Sequence, residues 1–476
     1  MILAIIGAMT FTLAWWFPGG LLCAALGWIG ALLLACTVNS SSSYRKSFLY
    51  GCIIYTFGFY WLLNTIAEFG GFPIIAAAAI FGLFVVVSAL QLPLAVLIMR
   101  FMPLEIDRLA LRWPIAWCVA EFIWVRIFPW EFAHTQLGFG IFAQSADLLG
   151  TSLITFIMFW LCSAIVLGAE QGTRALAGPP ALFLSLTLIY GVLTGNHWRE
   201  QITPELLDRD GFDAILVQGN ISLREKHDPA LVQRNVNQYL EQSLAALKQS
   251  SRGTEKLVLW PESAMLDWIS AHITTTASEP RLPKLTEANL VTGVLTYESK
   301  TKQYNSVIAI TPDGDVLAPY HKQILMPFGE YTPFVATFPW LKSLNQNAAE
   351  FSAGLGAGIL RIPQIASVAP LICYEDVVPS LSRRATAAGA TLLVNVTNDA
   401  WFGDTVAPHQ HHLIAAWRAI ENRRYLLRVT NSGFTAVVNP LGETVVSAPT
   451  FEPAAIMARV RGLRERSVYT TLFGNW

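Results

Sequence analysis

Charged residues are scarce in this sequence, and they are unevenly distributed. Asp, Glu, Lys and Arg make up 14% of the 476 residues, against about 25% in an average soluble protein. Residues 1–195 carry 14 of the 65 charged side chains. A hydrophobic fraction of 53% excludes a disordered chain, and a net charge of −1 gives no support for nucleic-acid binding. We therefore expect a membrane domain at 1–195 and a water-exposed domain at 196–476.

Cysteine is also rare, which excludes a small disulfide scaffold. Five of the six cysteines lie in or beside apolar runs, where a buried thiol behaves as a small hydrophobe: Cys23, Cys36, Cys52, Cys118 and Cys162. Cys373 is the only cysteine after residue 195, so the second domain has no partner for a disulfide of its own. Its position at the end of an apolar stretch fits either a buried thiol or a nucleophile.

Long apolar runs dominate the first domain. A run of about 17–25 residues can cross a bilayer, and seven runs are predicted to do so: 2–17, 19–37, 47–66, 74–99, 113–129, 149–169 and 179–195. The turn at 18–20 makes the first two a hairpin. A signal peptide is the alternative interpretation of the first run, but the run has no basic segment before it.

The basic residues of the first domain predict its orientation, because cytoplasmic loops are rich in Lys and Arg. With the N-terminus inside, all six loop cations face the cytoplasm: Arg45, Lys46, Arg100, Arg108, Arg112 and Arg174. The outer loops at 67–73 and 130–148 contain neither Lys nor Arg. We therefore expect a multi-pass protein of the bacterial inner membrane whose second domain lies in the periplasm.

Two charged residues, Glu121 and Arg126, fall within the fifth predicted run. Charges inside a span usually pair with each other or line a polar cavity. Alternatively, the run is short and both residues lie at the interface.

The second domain shows short apolar runs rich in β-formers, separated by helical patterns. Examples of these runs are 213–218, 256–260, 368–373 and 391–396. This alternation is typical of a layered α/β domain.

Three segments of this domain place reactive side chains at the ends of predicted strands. They are WPE at 260–262, YHK at 320–322 and CYE at 373–375. A carboxylate can accept the proton of a thiol, and an ammonium group can stabilise a thiolate and an oxyanion. Together the residues suit acyl transfer. Each segment alone also fits a turn, a solvated pair or a strand end.

In this order, the three segments resemble the Glu–Lys–Cys triad of the nitrilase superfamily. With seven membrane helices before such a domain, the chain is similar to apolipoprotein N-acyltransferases, which complete bacterial lipoprotein maturation. Further matching motifs are FPW at 128–130, VQGNI at 217–221, YNS at 304–306, PFGEY at 327–331, NDAWFG at 398–403, His411, RAIE at 418–421 and TNSG at 430–433.

This resemblance implies a multi-pass helical domain followed by a nitrilase-like αββα sandwich. Glu262 would be the general base, Lys322 the stabiliser of the thiolate and oxyanion, and Cys373 the nucleophile, with Glu330, Tyr374 and Glu375 in support. The substrate-binding residues implied by the resemblance are Trp130, His227 and Trp401, and the apolar segment at 334–341 adds Phe338 and Trp340 as predicted ones. The implied reaction transfers an acyl chain from a phospholipid to Cys373 and then to the α-amine of a diacylglyceryl-cysteine lipoprotein. No metal, nucleotide or other cofactor is implied.

The sequence departs from the family pattern in two places. The family usually has an eighth membrane helix after the sandwich, and here residues 471–476 end where it would begin, which indicates a truncation or a divergent member. A family tryptophan after the VQGNI segment is His227 here. Another amine, such as the N-terminus of a conjugative pilin, is therefore the alternative acceptor.

Residues 334–341 are strongly apolar and follow the Glu330 segment. Because lipid chains leave a bilayer at a cost of about 0.8 kcal/mol per CH₂, we expect this segment to form a lid that dips into the interface. The alternative is a loop packed on its own domain.

Two other functions fit parts of the sequence: a membrane-anchored amidase or nitrilase, and a transporter with a degenerate outer domain. Seven spans exceed what an anchor requires, and the spans have few polar residues for a transporter. The histidines at 409, 411 and 412 lack the spacing of a strong zinc site.

Overall fold

The computed structural model describes residues 1–38, 43–226, 228–251, 253–333, 335, 337–340, 349–356 and 358–475. The chain forms two compact units. The helical unit contains Met1–Glu68, Phe72–His197 and His409–Trp417, and the sandwich unit contains Phe69–Gly71, Trp198–Pro408 and Arg418–Trp476. The predicted boundary after residue 195 lies two residues from the division at His197. The sequence did not indicate that residues 409–417 group with the first unit.

All seven predicted apolar runs are helical over most of their length. The helices of this part of the chain are Ile2–Trp16, Gly20–Val38, Ser43–Gly58, Trp61–Asn64, Ile74–Ala89, Gln91–Phe101, Arg112–Ile123, Gly140–Ala143, Ala146–Leu149, Thr151–Glu170 and Gly178–Glu200. Among the described residues, four helices are long and apolar enough to cross a membrane. A fifth crossing results if the pair Ser43–Gly58 and Trp61–Glu68, bent by 59°, counts as one span.

The bend at Gly58 leaves backbone groups without helical partners, and a distant side chain binds them. The Gln410 amide nitrogen donates to the carbonyl oxygens of Gly58 and Trp15, both at 3.1 Å. The Trp61 indole nitrogen donates to the Gln410 amide oxygen at 2.9 Å. A break in a membrane helix is tolerated when neighbouring side chains satisfy the freed groups, and Gln410 has this role here.

The helix at the fifth predicted run, 113–129, is shorter than the run, because it ends at Ile123. Arg126 lies beyond the helix and donates to the carbonyl oxygen of Trp130 at 2.8 Å. Its guanidinium group also lies 3.8 Å from a carboxylate oxygen of Glu121 and 3.9 Å from one of Glu131. Arg126 thus joins the end of this helix to the loop that follows.

An aromatic cluster fills the centre of the helical unit. Trp130, which is buried, contacts the rings of Phe11, Trp15, Tyr55 and Phe132 at centroid distances of 5.0–6.1 Å. Such pairs each stabilise a protein by about 0.5–1.5 kcal/mol beyond the burial of their surface. Packing between rings therefore holds the loop around Trp130 in place.

The sandwich unit contains two β-sheets. Its strands are β1 Phe212–Gln218, β2 Lys256–Leu259, β3 Met265–Ser270, β4 Asn289–Ser299, β5 Lys302–Ile310, β6 Tyr320–His321, β7 Leu360–Ile362, β8 Ala366–Ile372, β9 Leu392–Thr397, β10 Leu426–Thr430, β11 Ala436–Val438, β12 Thr444–Ser447 and β13 Ala454–Val460. One sheet has the order β13-β1-β2-β4-β5-β6, with β3 also paired to β4. The other has the order β12-β11-β10-β9-β8-β7.

Alternate side chains of the strands divide between two hydrophobic layers, because successive residues of a strand point to opposite faces. In β1, Ala214 and Leu216 belong to a core shared with β8, β9 and β10 of the second sheet. Ile215 and Val217 belong to a core shared with Val236 of the next helix.

Further helices precede, separate or follow these strands along the chain: Pro204–Asp210, Leu223–Lys226, Val232–Leu247, Pro379–Ala387, Ala407–Asn422 and Val468–Phe473. Val232–Leu247 contacts β1 and Pro379–Ala387 contacts β8, so a helix packs against each sheet. The predicted combination of a helical membrane domain and a nitrilase-like αββα sandwich is confirmed.

The first and last strands of the sandwich unit are neighbours. Strand β1 pairs in parallel with β2 and antiparallel with β13, where all seven residues of each strand take part. The first sheet therefore needs both ends of the unit.

Candidate active site

Glu262 lies in the break between β2 and β3, and both of these strands pair with β4. Pro261 interrupts the first pairing, since proline has no N–H for the ladder, and Ser263 has a left-handed φ of 47°. Gly293 of β4 faces this break. A Cβ there would lie 2.5 Å from the Ser263 nitrogen and 2.6 Å from the Pro261 oxygen, so the turn that aims Glu262 requires glycine on β4.

Lys322 directly follows β6. Its backbone N–H donates to the Asn305 carbonyl oxygen at 2.9 Å, and its own carbonyl accepts from Gly354 at 2.7 Å. The side chain is only 1% exposed. Its ammonium nitrogen lies 2.8 Å from an oxygen of Glu330 and 3.5 Å from an oxygen of Glu262. The structure thus brings three of the predicted site residues together.

The side chain of Asn305 joins the two carboxylates. Its amide nitrogen donates to Glu262 at 2.8 Å and to Glu330 at 3.0 Å. Glu330 also accepts from the backbone N–H of Met326 at 2.8 Å. Sequence reasoning noted Asn305 within a family motif and did not assign it to the site.

Cys373 directly follows β8 and begins a single helical turn, Cys373–Val377. Its φ of 51° is left-handed, which costs a non-glycine residue about 1–3 kcal/mol and often marks a functional position. Asn395 supports the turn, because its amide nitrogen donates to the carbonyl oxygens of Leu371 and Cys373, both at 3.1 Å. Sharp geometry at the strand end thus presents the sulfur.

The surroundings of Cys373 keep the resting thiol protonated. Burial raises the pKa of this thiol well above its ordinary value, and the charge of Glu262 raises it further. The charge of Lys322 and a hydrogen bond with Thr397 act in the opposite direction. Thiolate formation therefore requires proton transfer to a neighbouring base, and Glu262 is such a neighbour.

Lys322 keeps its positive charge although it is buried. Burial alone would lower the pKa of Lys322, but the charges of Glu330 and Glu262 outweigh this effect and hold the pKa above its ordinary value. A permanent ammonium group between two carboxylates suits stabilisation of negative charge and does not suit a general base.

Glu375 connects the Cys373 turn to the Lys322 segment. One oxygen accepts from the backbone N–H groups of Gln323 at 2.6 Å and Ile324 at 3.1 Å. The other accepts from the N–H of Ile372 at 2.8 Å and the hydroxyl of Tyr320 at 2.9 Å. These donors and the charge of Lys322 favour the ionised carboxylate, whereas burial acts more strongly and raises the pKa of Glu375. Glu375 therefore holds the Cys373 turn and the Lys322 segment together through hydrogen bonds to both.

A buried ionic network lies beyond the sulfur. The guanidinium group of Arg428, on β10, lies 3.0 Å from Asp399 and 3.3 Å from Asp376. The Thr397 hydroxyl, which hydrogen-bonds Cys373, lies 3.4 Å from Asp399. No local pattern predicts a buried Arg428, since an arginine within a strand usually reaches solvent.

The predicted substrate-binding residues are dispersed. Trp130 is buried within the aromatic cluster of the helical unit. Phe338, Trp340 and Trp401 belong to the sandwich unit and are 48%, 60% and 38% exposed. His227 lies outside the described residues. Roles for these residues in substrate binding stay predictions, as does an oxyanion bond from the backbone N–H of Tyr374.

No group of three or more His, Cys, Asp or Glu side chains suited to a metal ion occurs within the described ranges. Of the three histidines in the segment 409–412, His412 is buried, whereas His409 and His411 are partly exposed.

Comparison with known protein families divides the chain as the fold does. Residues 7–164 match the family described as Apolipoprotein N-acyltransferase N-terminal domain. Residues 215–466 match the family described as Carbon-nitrogen hydrolase. An amidase mutant of the nitrilase superfamily from Nesterenkonia AN1 superposes with a TM-score of 0.40 at 20% identity, covering 55% of this chain and 93% of the amidase.

Relatives match the chain over nearly its full length. An apolipoprotein N-acyltransferase of Methylococcus capsulatus is 30% identical, and the alignment covers 100% of this chain and 93% of the relative. An enzyme of the same name from Geobacter metallireducens is 28% identical, covering 97% and 89%. The family predicted from the residues is confirmed, and the chain belongs to the apolipoprotein N-acyltransferase family.

Proposed function

We propose that this protein transfers an acyl chain from a phospholipid, through a thioester on Cys373, to the N-terminal α-amine of a diacylglyceryl-cysteine lipoprotein. The chain is an acyltransferase of its family. The observation that carries the assignment of residues is the set of Glu262, Lys322 and Glu330, in which the Lys322 nitrogen lies 2.8–3.5 Å from both carboxylates. The charges of Glu262 and Lys322 act on the thiol of Cys373.

In the first half-reaction, Glu262 accepts the proton of the Cys373 thiol as the sulfur attacks the ester carbonyl of the phospholipid. A C–S bond forms, and the carbonyl oxygen becomes an oxyanion that the ammonium group of Lys322 stabilises. The intermediate collapses by breaking the C–O bond. Glu262 returns the proton to the departing oxygen, which releases a lysophospholipid.

In the second half-reaction, the neutral α-amine of the acceptor attacks the thioester. Glu262 accepts a proton from the attacking nitrogen, and Lys322 again faces the oxyanion. The C–S bond breaks, the amide forms, and the sulfur regains the proton from Glu262. Glu330 and Asn305 orient Glu262 and Lys322 through both steps. The Asn305 amide donates to the carboxylates of Glu262 and Glu330, and Glu330 contacts the ammonium group of Lys322.

A location of the sandwich unit in the periplasm is part of this proposal. It rests on the six cations in the loops that the topology places inside, against none in the outer loops. A donor and an acceptor that both carry acyl chains favour a reaction at the membrane surface. The relatives that match over nearly the full length share one name, which favours a lipoprotein over a pilin as the acceptor.

Intact-mass analysis after incubation with phospholipid tests the first half-reaction. The wild-type protein is expected to gain the mass of one acyl group, which hydroxylamine removes because it cleaves thioesters. Cys373→Ala should gain none, and Cys118→Ala, which removes a cysteine of the helical unit, should behave as wild type. A stable adduct in Cys373→Ala would contradict the assignment of the nucleophile.

The acceptor is identified by adding peptides to the isolated thioester form. A diacylated lipopeptide should discharge the acyl group and gain its mass at the α-amine. A pilin-like peptide without lipid should leave the thioester intact. Discharge by the pilin-like peptide alone would replace the proposed acceptor with the alternative one.

The lid hypothesis concerns the predicted segment 334–341, of which Phe334, Ala336 and Leu341 lie outside the described residues. The rings of Phe338 and Trp340 lie 6.5 Å apart in an edge-on arrangement. Phe338→Ser with Trp340→Ser should slow turnover of phospholipid about tenfold, because exposed aromatic rings no longer enter the interface. Reaction with a water-soluble ester and the melting temperature should stay at wild-type values; unchanged phospholipid turnover would exclude the lid.

A further inference from the structure

Lys226 is a second buried lysine beside the Glu262 turn, and the proposed reaction does not use it. It ends the short helix Leu223–Lys226 and is 6% exposed. Its ammonium nitrogen donates to the backbone carbonyl oxygen of Glu262 at 2.8 Å. A buried ammonium group is costly unless opposite charges compensate it, so the position of Lys226 requires an explanation.

Backbone contacts hold Lys226 at this place. Its N–H donates to the Ser222 carbonyl oxygen at 2.8 Å. Asn235, which is buried on the next helix, donates to the carbonyl oxygen of Glu225 at 3.2 Å. The next helix thus anchors the end of the short helix at the residue before Lys226.

The charges around Lys226 are those of the proposed site. Burial lowers the pKa of Lys226 to about 8, while the charge of Glu262, and next that of Cys373, acts to keep the amine protonated. Glu330 and Lys322 are the other charged groups in contact with Glu262 or its partners. Two carboxylates and two ammonium groups are neutral together while the thiol is protonated.

With Lys322 as the sole cation, the same set would already be negative before the sulfur loses its proton. More distant charges do not correct this. Asp399 opposes the thiolate, and Arg428 beside it is engaged with Asp399 and Asp376. Glu375 adds a further negative charge near Lys322. Because a nearby positive charge favours an ionised thiol, the ammonium group of Lys226 helps to stabilise a thiolate at Cys373.

We propose that Lys226 is a positioning residue of the acyl-transfer site: its ammonium group fixes the turn that carries Glu262 and adds a positive charge that favours the thiolate of Cys373. This inference rests on the proposed function. The step concerned is the loss of the thiol proton, to Glu262 in the reaction or to solvent in a chemical assay, and Lys226 itself exchanges no proton with the substrate.

The test measures alkylation of Cys373 by iodoacetamide as a function of pH in the full-length protein, with the site read by peptide mass spectrometry. A C–S bond forms, iodide leaves, and the thiol proton passes to solvent, so the rate follows the thiolate fraction without any lipid. Lys226→Met and Lys226→Gln are compared with Lys226→Arg and with Lys248→Met, which removes an exposed lysine.

We expect the midpoint of the profile to rise by about one pH unit in Lys226→Met, as for the loss of a nearby opposite charge. Lys226→Gln keeps a donor for the Glu262 carbonyl but lacks the charge, and its midpoint should rise similarly even if Lys226→Met fails to fold. Lys226→Arg and Lys248→Met should retain the wild-type midpoint. In a second assay, thioester formation near neutral pH should fall about tenfold in Lys226→Gln.

A wild-type midpoint in Lys226→Gln would overturn the proposed electrostatic role, even if thioester formation were slower. The two proposals fail separately. If the Lys226 variants shift the midpoint but the wild-type protein never accepts an acyl chain, the role of Lys226 is supported and the proposed function is contradicted. If the wild-type protein forms the thioester but the Lys226 variants keep the wild-type midpoint, the proposed function is supported and the role of Lys226 is contradicted.

Discussion

Lys322→Met is expected to lower the rate of thioester formation at Cys373 about a thousandfold. Loss of one preorganised oxyanion stabiliser typically costs a factor of about 10²–10³ in rate. The variant also leaves Glu262 and Glu330 facing each other without the ammonium group that lies 2.8–3.5 Å from them. Removing one partner of a buried ion pair destabilises a protein by about 3–5 kcal/mol, so the melting temperature should fall as well.

A double variant separates catalysis from stability. Lys322→Met with Glu330→Gln removes one charge of each sign, and it should recover part of the lost melting temperature while the rate of thioester formation stays low. Lys248→Met, at an exposed position, is the control for loss of a lysine elsewhere. Thioester formation in Lys322→Met at more than a tenth of the wild-type rate would contradict the role of Lys322, as measured by intact-mass time courses.

Glu375→Gln is expected to lower the rate of thioester formation about a hundredfold, although Glu375 itself takes no part in the reaction. Both oxygens of Glu375 accept two hydrogen bonds, and the amide of glutamine would direct N–H groups at two of those donors. The unsatisfied donors should destabilise the protein by about 2–4 kcal/mol. Because a misplacement of about 1 Å can cost a factor of about 10² in rate, the shifted Cys373 turn should react slowly.

The readout that identifies this role is the relation between donor binding and turnover. Glu375→Gln should lower kcat for the phospholipid more than it raises KM, since the carboxylate orients the sulfur and Lys322 and binds no lipid. Glu205→Gln, at an exposed position, is the matched control. A variant with wild-type kcat would show that the Ile372 and Gln323 contacts do not set the geometry of the site.

Sequence patterns predicted which segments of the first domain are helical, because apolar composition alone determines where a chain can span a bilayer. They did not predict where the helices break. The bend at Gly58 depends on the amide of Gln410, a contact across about 350 residues that no local pattern encodes. The helix of the fifth predicted run likewise ends early, at Ile123, and Arg126 beyond it bonds to the Trp130 carbonyl oxygen.

In the second domain, reactive residues at strand ends could be predicted, because carboxyl ends of strands present side chains at the edge of a sheet. The resemblance then assigned Glu262, Lys322 and Cys373 to one site. Lys226 escaped prediction because the polar stretch around it reads as an exposed helix end, whereas its ammonium group bonds to the backbone carbonyl of Glu262, 36 residues away. The role of Asn305 likewise depends on two carboxylates that lie 43 and 25 residues away.

The pairing of β1 with β13 has a consequence for biosynthesis. Residues 212–218 leave the ribosome about 240 residues before Ala454–Val460, their antiparallel neighbours. During that interval one edge of the first sheet has open N–H and C=O groups, which is the kind of edge that associates with foreign strands. Newly made protein therefore carries an unpaired sheet edge, and the risk of aggregation that goes with it, until the strand Ala454–Val460 is added.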